Sequence, residues 1–308
     1  MLVPLALTAC HAGSPTLPRP TDAACAVALP LLAKQHTPNA TRIYLAPLTV
    51  AAGQLTIGTP VLATAKRGFV NQPAFAPDGT GLYFTWRPEG SQADIWFHDL
   101  RTGAERAITC SSEEEYAAVP GRDGLTVVRV ERDLRRDLVR IGLDGRERQA
   151  LFPALTNVGA QSWIDDSTVA VFVAGTQDGA SSLVIGDVRS GQVEPIAQNV
   201  GAAIAVIPGS RSISYFDQHD DAVTTLVRYD LETKTSTPVL TVAEGIEQVA
   251  WLDTEVLAGV GTRIVRASPS SPEWRDVIDL QGAIEGALVR LVISADHRWL
   301  ALVVRVTP

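Results

Sequence analysis

Short apolar runs alternate with turn residues along most of the chain, and the pattern repeats. The segment Pro73-Ala74-Phe75-Ala76-Pro77-Asp78-Gly79-Thr80-Gly81-Leu82-Tyr83-Phe84 reads as a strand, a Pro-Asp-Gly turn and a second strand. Related segments follow at Ala118 to Leu125, Ser162 to Val169, Val206 to Ile213, Ala250 to Val256 and Val292 to Leu300. Their equivalent apolar residues, Leu82, Leu125, Val169, Ile213, Val256 and Leu300, lie 43, 44, 44, 43 and 44 residues apart. Such a period marks units that bury their faces against one another. After each turn the chain resumes with a loop and further strands, as in Asp94 to Leu100, Arg101-Thr102-Gly103 and Ala107 to Thr109. Leu138 to Leu143, Leu183 to Val188 and Leu226 to Leu231 repeat that half. Short strands grouped in fours predict a propeller blade.

Only eight residues follow Leu300, so the sixth repeat lacks its two outer strands. Arg42 to Leu48 supplies a third strand and Pro60 to Thr64 a fourth. The expected fold is all-β: a six-bladed β-propeller of four-stranded antiparallel blades, closed by N-terminal strands that complete the C-terminal blade. Closure leaves no raw sheet edge.

The repeat resembles the TolB-like family of WD40-like β-propellers, whose blades carry P-x-F-S-P-D-G-x-x-I-x-F followed by D-I-Y-x-x-D. Pro73 to Phe84 and Asp94 to Asp99 carry the likeness, repeats two and four match in part, and the rest keep only spacing and apolar pattern. The resemblance spans about residues 42 to 308 and implies a fold more than an activity, because these are turn and packing positions. TolB proteins carry an α/β domain before the propeller; here only Asp22 to Asn39 lies in that place, with a short helix expected from the Asp22 cap.

At the extreme N-terminus Leu7-Thr8-Ala9-Cys10 resembles a bacterial lipobox, with Cys10 as the lipidation site. Residues 1–9 then form a partial signal without Lys or Arg, 10–21 a Pro-rich tether, 22–40 a short segment and 41–308 the propeller. Cys25 and Cys110 are left as a disulfide pair or as two buried thiols. The implied address is the periplasmic side of the cell envelope, lipid-anchored or secreted, with contact to membrane only through the anchor.

Composition narrows the function. Lys and Arg number 26 against 34 acidic residues, a net charge of −8, which argues against nucleic acid as partner. No G-x-S-x-G elbow occurs, which excludes a serine peptidase of the propeller type. The five histidines have no metal-ligand spacing, so neither metal nor cofactor is expected. Trp163 and Trp251 recur at one repeat position, as inter-blade packing would require.

Candidate contact residues fall in loops that a four-stranded blade sends to one rim: Trp86 and Arg87, the run Glu113-Glu114-Glu115, and Asp217, His219, Asp220 and Asp221. Glu247 and Glu285 sit near the starts of inner strands. The acidic runs read as solvated loops, Arg87 as a partner for Glu89, and the rim loops together carry −7 of the −8. These features predict a monomeric, non-catalytic platform that holds an envelope protein or a basic peptide on an acidic face. The alternative is a small propeller lyase or hydrolase with polar groups, such as Glu115, Glu247, Glu285 and a histidine, converging at the channel mouth.

Overall fold

The computed structural model describes residues 40–51, 54–121, 124–175, 179–220 and 222–306. Cys10, the tether, the expected helix after Asp22, Cys25 and Asp221 lie outside them. No helix among the described residues is long and apolar enough to cross a membrane.

Strands β1 (Thr41–Ala51), β2 (Gln54–Ile57) and β3 (Val61–Leu62) precede five four-stranded antiparallel sheets. Blade I holds β4 (Phe69–Phe75), β5 (Gly81–Arg87), β6 (Asp94–Asp99) and β7 (Glu105–Ala107). Blade II holds β8 (Glu114–Gly121), β9 (Gly124–Val130), β10 (Arg136–Ile141) and β11 (Gln149–Ala150). Blade III holds β12 (Val158–Trp163), β13 (Thr168–Val173), β14 (Ser182–Asp187) and β15 (Gln192–Gln198). Blade IV holds β16 (Val200–Ile207), β17 (Ser212–Asp220), β18 (Val223–Asp230) and β19 (Thr235–Thr241). Blade V holds β20 (Val249–Leu252), β21 (Glu255–Val260), β22 (Arg263–Ser268) and β23 (Ser271–Asp279), and β24 (Ala287–Ile293) with β25 (Trp299–Arg305) begins blade VI.

The N-terminus completes blade VI as the apolar pattern predicts. β1 pairs with β25 from Thr41↔Arg305 to Pro47↔Trp299, and β3 adds to β1 through Tyr44↔Leu62 and Leu45↔Val61. One feature was not expected: β1 runs on to Ala51 and folds back through β2, with Leu48 opposite Ile57.

The core is six apolar clusters, one in each interface between neighbouring blades. This explains why the second strands read as continuous apolar runs: each is covered on both faces. On β1, Tyr44, Ala46 and Leu48 pack toward blade V while Ile43 and Leu45 pack toward blade I. The six period-marking residues, Leu82 through Leu300, are each 1% exposed or less. Trp163 and Trp251 interlock blades: each indole N–H donates to a hydroxyl 37 residues earlier on the preceding blade, Thr126 at 2.9 Å and Ser214 at 2.8 Å.

The turns between third and fourth strands use a shared device. The Asp99, Asp187 and Asp230 carboxylates each accept N–H and O–H bonds from a Thr or Ser three residues on. The next position is left-handed, Gly103 at φ 71°, Gly191 at 72° and Lys234 at 55°.

Ring closure gains its strength from buried side chains more than from the outer strand. Ile43→Ala, at a fully buried site between blades VI and I, is expected to cost about 3 kcal/mol. Val61→Ala, 58% exposed on β3, should stay within about 0.5 kcal/mol of the parent; chemical denaturation of both variants checks the contrast.

Candidate functional site

The rim residues picked out in the sequence are brought near one another in part, and their environment differs from the expected one. Glu114 and Glu115 are not in a solvated loop; they open β8, and Glu113 directly precedes it. Glu113 and Glu115 are 8% and 0% exposed. Buried carboxylates require partners, and arginines supply them. Arg129 reaches Glu115 through Nη1 and Glu113 through Nη2, the latter at 2.7 Å, while Arg132 adds to Glu113 at 3.3 Å and Arg148 approaches Glu115 at 3.8 Å. Arg87 pairs across the blade boundary with Glu114, not with Glu89.

The same holds around the ring. Glu247 accepts two bonds from Arg305 Nη2 at 2.6 and 2.8 Å, and Glu285 meets Arg42 at 2.8 Å. Asp217 on β17 is held by His219, with Nδ1 2.6 Å from Oδ1. Asp220 ends β17, where its carboxylate caps the Ala222 N–H at 2.8 Å. A sum over loops leaves out Arg42, Arg129 and Arg305 because they stand on strands. The acidity assigned to this rim is therefore largely neutralised in place.

Trp86 is likewise engaged. Its N–H donates to the Arg67 carbonyl at 2.8 Å, and its ring meets Trp96 edge-on with centroids 5.1 Å apart. Between them lies a cluster that no local motif announces: Lys66 Nζ sits 3.4 Å from the Trp96 centroid and 4.1 Å from that of Trp86. Lys66 also lies 3.3 Å from Glu105, which His98 Nδ1 approaches at 3.6 Å. Burial pushes the Glu105 carboxyl up, but bonds from His98 and Thr64 and the Lys66 charge outweigh it and hold it below the ordinary range.

Behind the Glu113 to Glu115 cluster stands Asp94, at the start of β6 and 3% exposed. Burial, aided by the Glu115 charge, raises its carboxyl to about 7 against bonds from Thr109, Gln92 and Ser111. Glu115 is also raised, since desolvation exceeds what Ser111 and the arginines return. Cys110, which is disulfide-bonded, stands between Thr109, whose hydroxyl donates to Asp94, and Ser111, whose hydroxyl donates to Glu115. The other two cysteines of the sequence, Cys10 and Cys25, lie outside the described residues.

The opposite face, where the turns between first and second strands emerge, carries a cavity of about 540 Å³ between blades II and III. Arg140, Trp163, Asp165, Asp166 and Arg189 line it. Asp165 is fixed: burial acts to raise it, but N–H and O–H bonds from Ser167 and Thr168 hold it at about 2. Arg211 closes on Asp165 at 2.8 Å. Among the described residues no group of three or more His, Cys, Asp or Glu side chains is placed to hold a metal ion.

No family profile and no curated protein matches the chain. Solved structures do match in fold. A putative TolB from Agrobacterium tumefaciens superposes with a TM-score of 0.63 at 10% identity, covering 87% of this chain and 99% of that one. XC5397 from Xanthomonas campestris, a gluconolactonase, gives 0.62 at 11% identity over 84% and 94% of the two chains. A chain of a nidogen/laminin complex gives 0.60 at 11% identity over 86% and 98%. At these identities the likeness establishes architecture alone: the chain has the fold of the TolB-like six-bladed β-propellers.

Asp94 makes stability depend on pH. The folded protein keeps its proton up to about pH 7, whereas an unfolded Asp releases it near 3.8. The folded pKa is the higher, so this group's contribution is largest below that lower value and is lost as pH rises toward neutrality. Asp94→Asn, a neutral isostere, should melt roughly 5 °C above the parent at about pH 8 and level with it at about pH 4. Equal melting shifts at both pH values would count against the assignment.

Proposed function

We propose that this chain is a non-catalytic binding platform of the bacterial cell envelope, a monomeric propeller that holds a protein or peptide. The observation that carries the reading is the fate of the candidate acid–base groups. Glu113 to Glu115, Glu247 and Glu285 lie in separate ion pairs with Arg129, Arg87, Arg305 and Arg42 and have no common target; Arg87–Glu114 and Arg305–Glu247 join neighbouring blades, while the Arg129 and Arg42 pairs brace blades II and VI internally. A rigid ring with such junctions presents its loops as a fixed surface, which favours recognition. The nidogen/laminin neighbour is a similar ring taken from a protein complex.

Exposed acidity left on the original rim includes Asp220 at the tip of the β17–β18 hairpin, beside the half-buried Asp217, and Glu244 in the connection before β20. A partner on that face would carry positive charge. The disulfide at Cys110 supports an oxidising compartment, in keeping with lipidation at Cys10, a Pro-rich tether and Cys25 as the bridge partner. A catalytic reading, as a lyase or hydrolase, has one observation in its favour, the Asp94 carboxyl near 7 beside Glu115. Asp94 is sealed from solvent, and that favours a structural role.

Affinity capture from envelope extract followed by crosslink mapping tests the platform. The reading expects crosslinks on the Asp217 to Ala222 side of the ring and a loss of capture of about tenfold in D217K/D220K. Lactone or glycuronan turnover abolished by Asp94→Asn in a protein that still folds would overturn it in favour of the enzyme.

A further inference from the structure

The cavity between blades II and III is built around arginines that hold no carboxylate of the described chain. Trp163 forms its wall, with its N–H donated to Thr126 Oγ1 at 2.9 Å and Gln161 Oε1 at 3.0 Å. Gln161 is fixed in turn, its amide donating to the Ala117 and Thr126 carbonyls at 3.0 and 2.9 Å. Arg140 lies over this ring with the guanidinium carbon 5.9 Å from the centroid. Arg189 stands on the exposed turn after β14; its backbone N–H donates to Asp187 at 2.9 Å and its charge acts on that carboxylate without closing an ion pair. Neither guanidinium forms an ion pair with a described residue, in contrast to Arg42, Arg87, Arg129 and Arg305 on the opposite rim.

The cavity continues into a second hollow of about 540 Å³ through shared walls at Asp165, Asp166 and Arg189. There the Asp165 and Asp187 carboxylates are consumed by turn N–H groups and by Arg211. Asp166 is exposed and no bond to its carboxylate forms among the described residues. The trough thus offers Arg140 on an aromatic wall, Arg189 on the adjoining turn and, in the same lining, the Asp166 carboxylate.

We propose that this trough binds a short peptide by its free carboxylate, with Arg140 and Arg189 gripping the anion and Asp166 facing the ammonium end. A guanidinium matches a carboxylate with paired donors, and the volume suits a ligand of a few residues. The aspartates favour a singly charged carboxylate over a phosphate dianion. The proposal goes beyond the platform reading: it adds a ligand class and places that ligand on the face opposite the Asp217 hairpin.

Isothermal titration with trialanine, trialanine amide, N-acetyl-trialanine and inorganic phosphate tests it on the whole chain. Trialanine should bind, the amide about tenfold more weakly, and R140Q and R189Q should each lose about tenfold. D166N should weaken trialanine and leave N-acetyl-trialanine unchanged. An N-acetylated Asp amide, which carries only a side-chain carboxylate, should bind more weakly than N-acetyl-trialanine if an α-carboxylate is the target. Arg189 is an exposed turn residue, so R189Q reports on binding even if R140Q fails to fold. No heat at about 10 mM trialanine, equal binding of acid and amide, unchanged affinity in R189Q, or phosphate binding as well as peptide would each overturn it. Loss of the trough with envelope capture intact would sink this proposal alone, whereas loss of capture with trialanine still bound would sink only the platform reading.

Discussion

Everything in this molecule depends on the pairing of its first described strand with its last. β1 and β25 lie in register over seven residue pairs, and that contact turns a row of blades into a ring. Every apolar cluster lies between two blades. An open row would expose one face of blade I, lined by Val70, Leu82, Phe84 and Trp96, and one of blade VI, lined by Ile43, Leu45, Val289 and Val303. Hydrophobic burial scales with area removed from water, so the closing contact recruits two interfaces at once. The continuation of β1 through β2 and the Lys66 cluster against Trp86 and Trp96 both reinforce this junction.

Polar groups are placed by the same logic. In each interface a few side chains bridge neighbouring blades: Arg87 to Glu114, Trp163 to Thr126, Arg211 to Asp165, Trp251 to Ser214, Arg305 to Glu247 and Thr41 to the Val70 carbonyl. The Ala117 N–H donates to Gln72 Oε1 at 3.0 Å, and both Gln72 and Ala117 are left-handed at φ 53°. These two sit at bulges of β4 and β8, where the extra residue turns a backbone group toward the next blade. Such bridges fix the angle between blades and leave both faces rigid.

The two faces consequently differ in what they present. On one, carboxylates that count as acidic in the sequence are matched by arginines from the adjoining strands. On the other, Arg140 and Arg189 are unmatched by any described residue. The electrostatic character of a propeller face follows from which strand ends meet there, so a sum over loops alone misjudges it.

The period of 43 or 44 residues announced the blade count and the antiparallel sheets, and the apolar pattern of Arg42 to Leu48 the closure strand, because turn chemistry and two-faced burial are local requirements each repeat must meet by itself. The recurrence of Trp163 and Trp251 likewise announced an interlock between blades. The partners of Glu113, Glu114 and Glu115 were not legible: Arg129 and Arg87 lie 16 and 27 residues away from Glu113 and Glu114, at separations that no local pattern ties together. The same is true of Lys66 with Trp96, and of Arg140 and Arg189, which line one cavity because of the way blade III packs on blade II. Sequence set the ring because each blade obeys the same local rules; tertiary structure decided the charge of its faces because that depends on which unlike residues adjacent blades bring together.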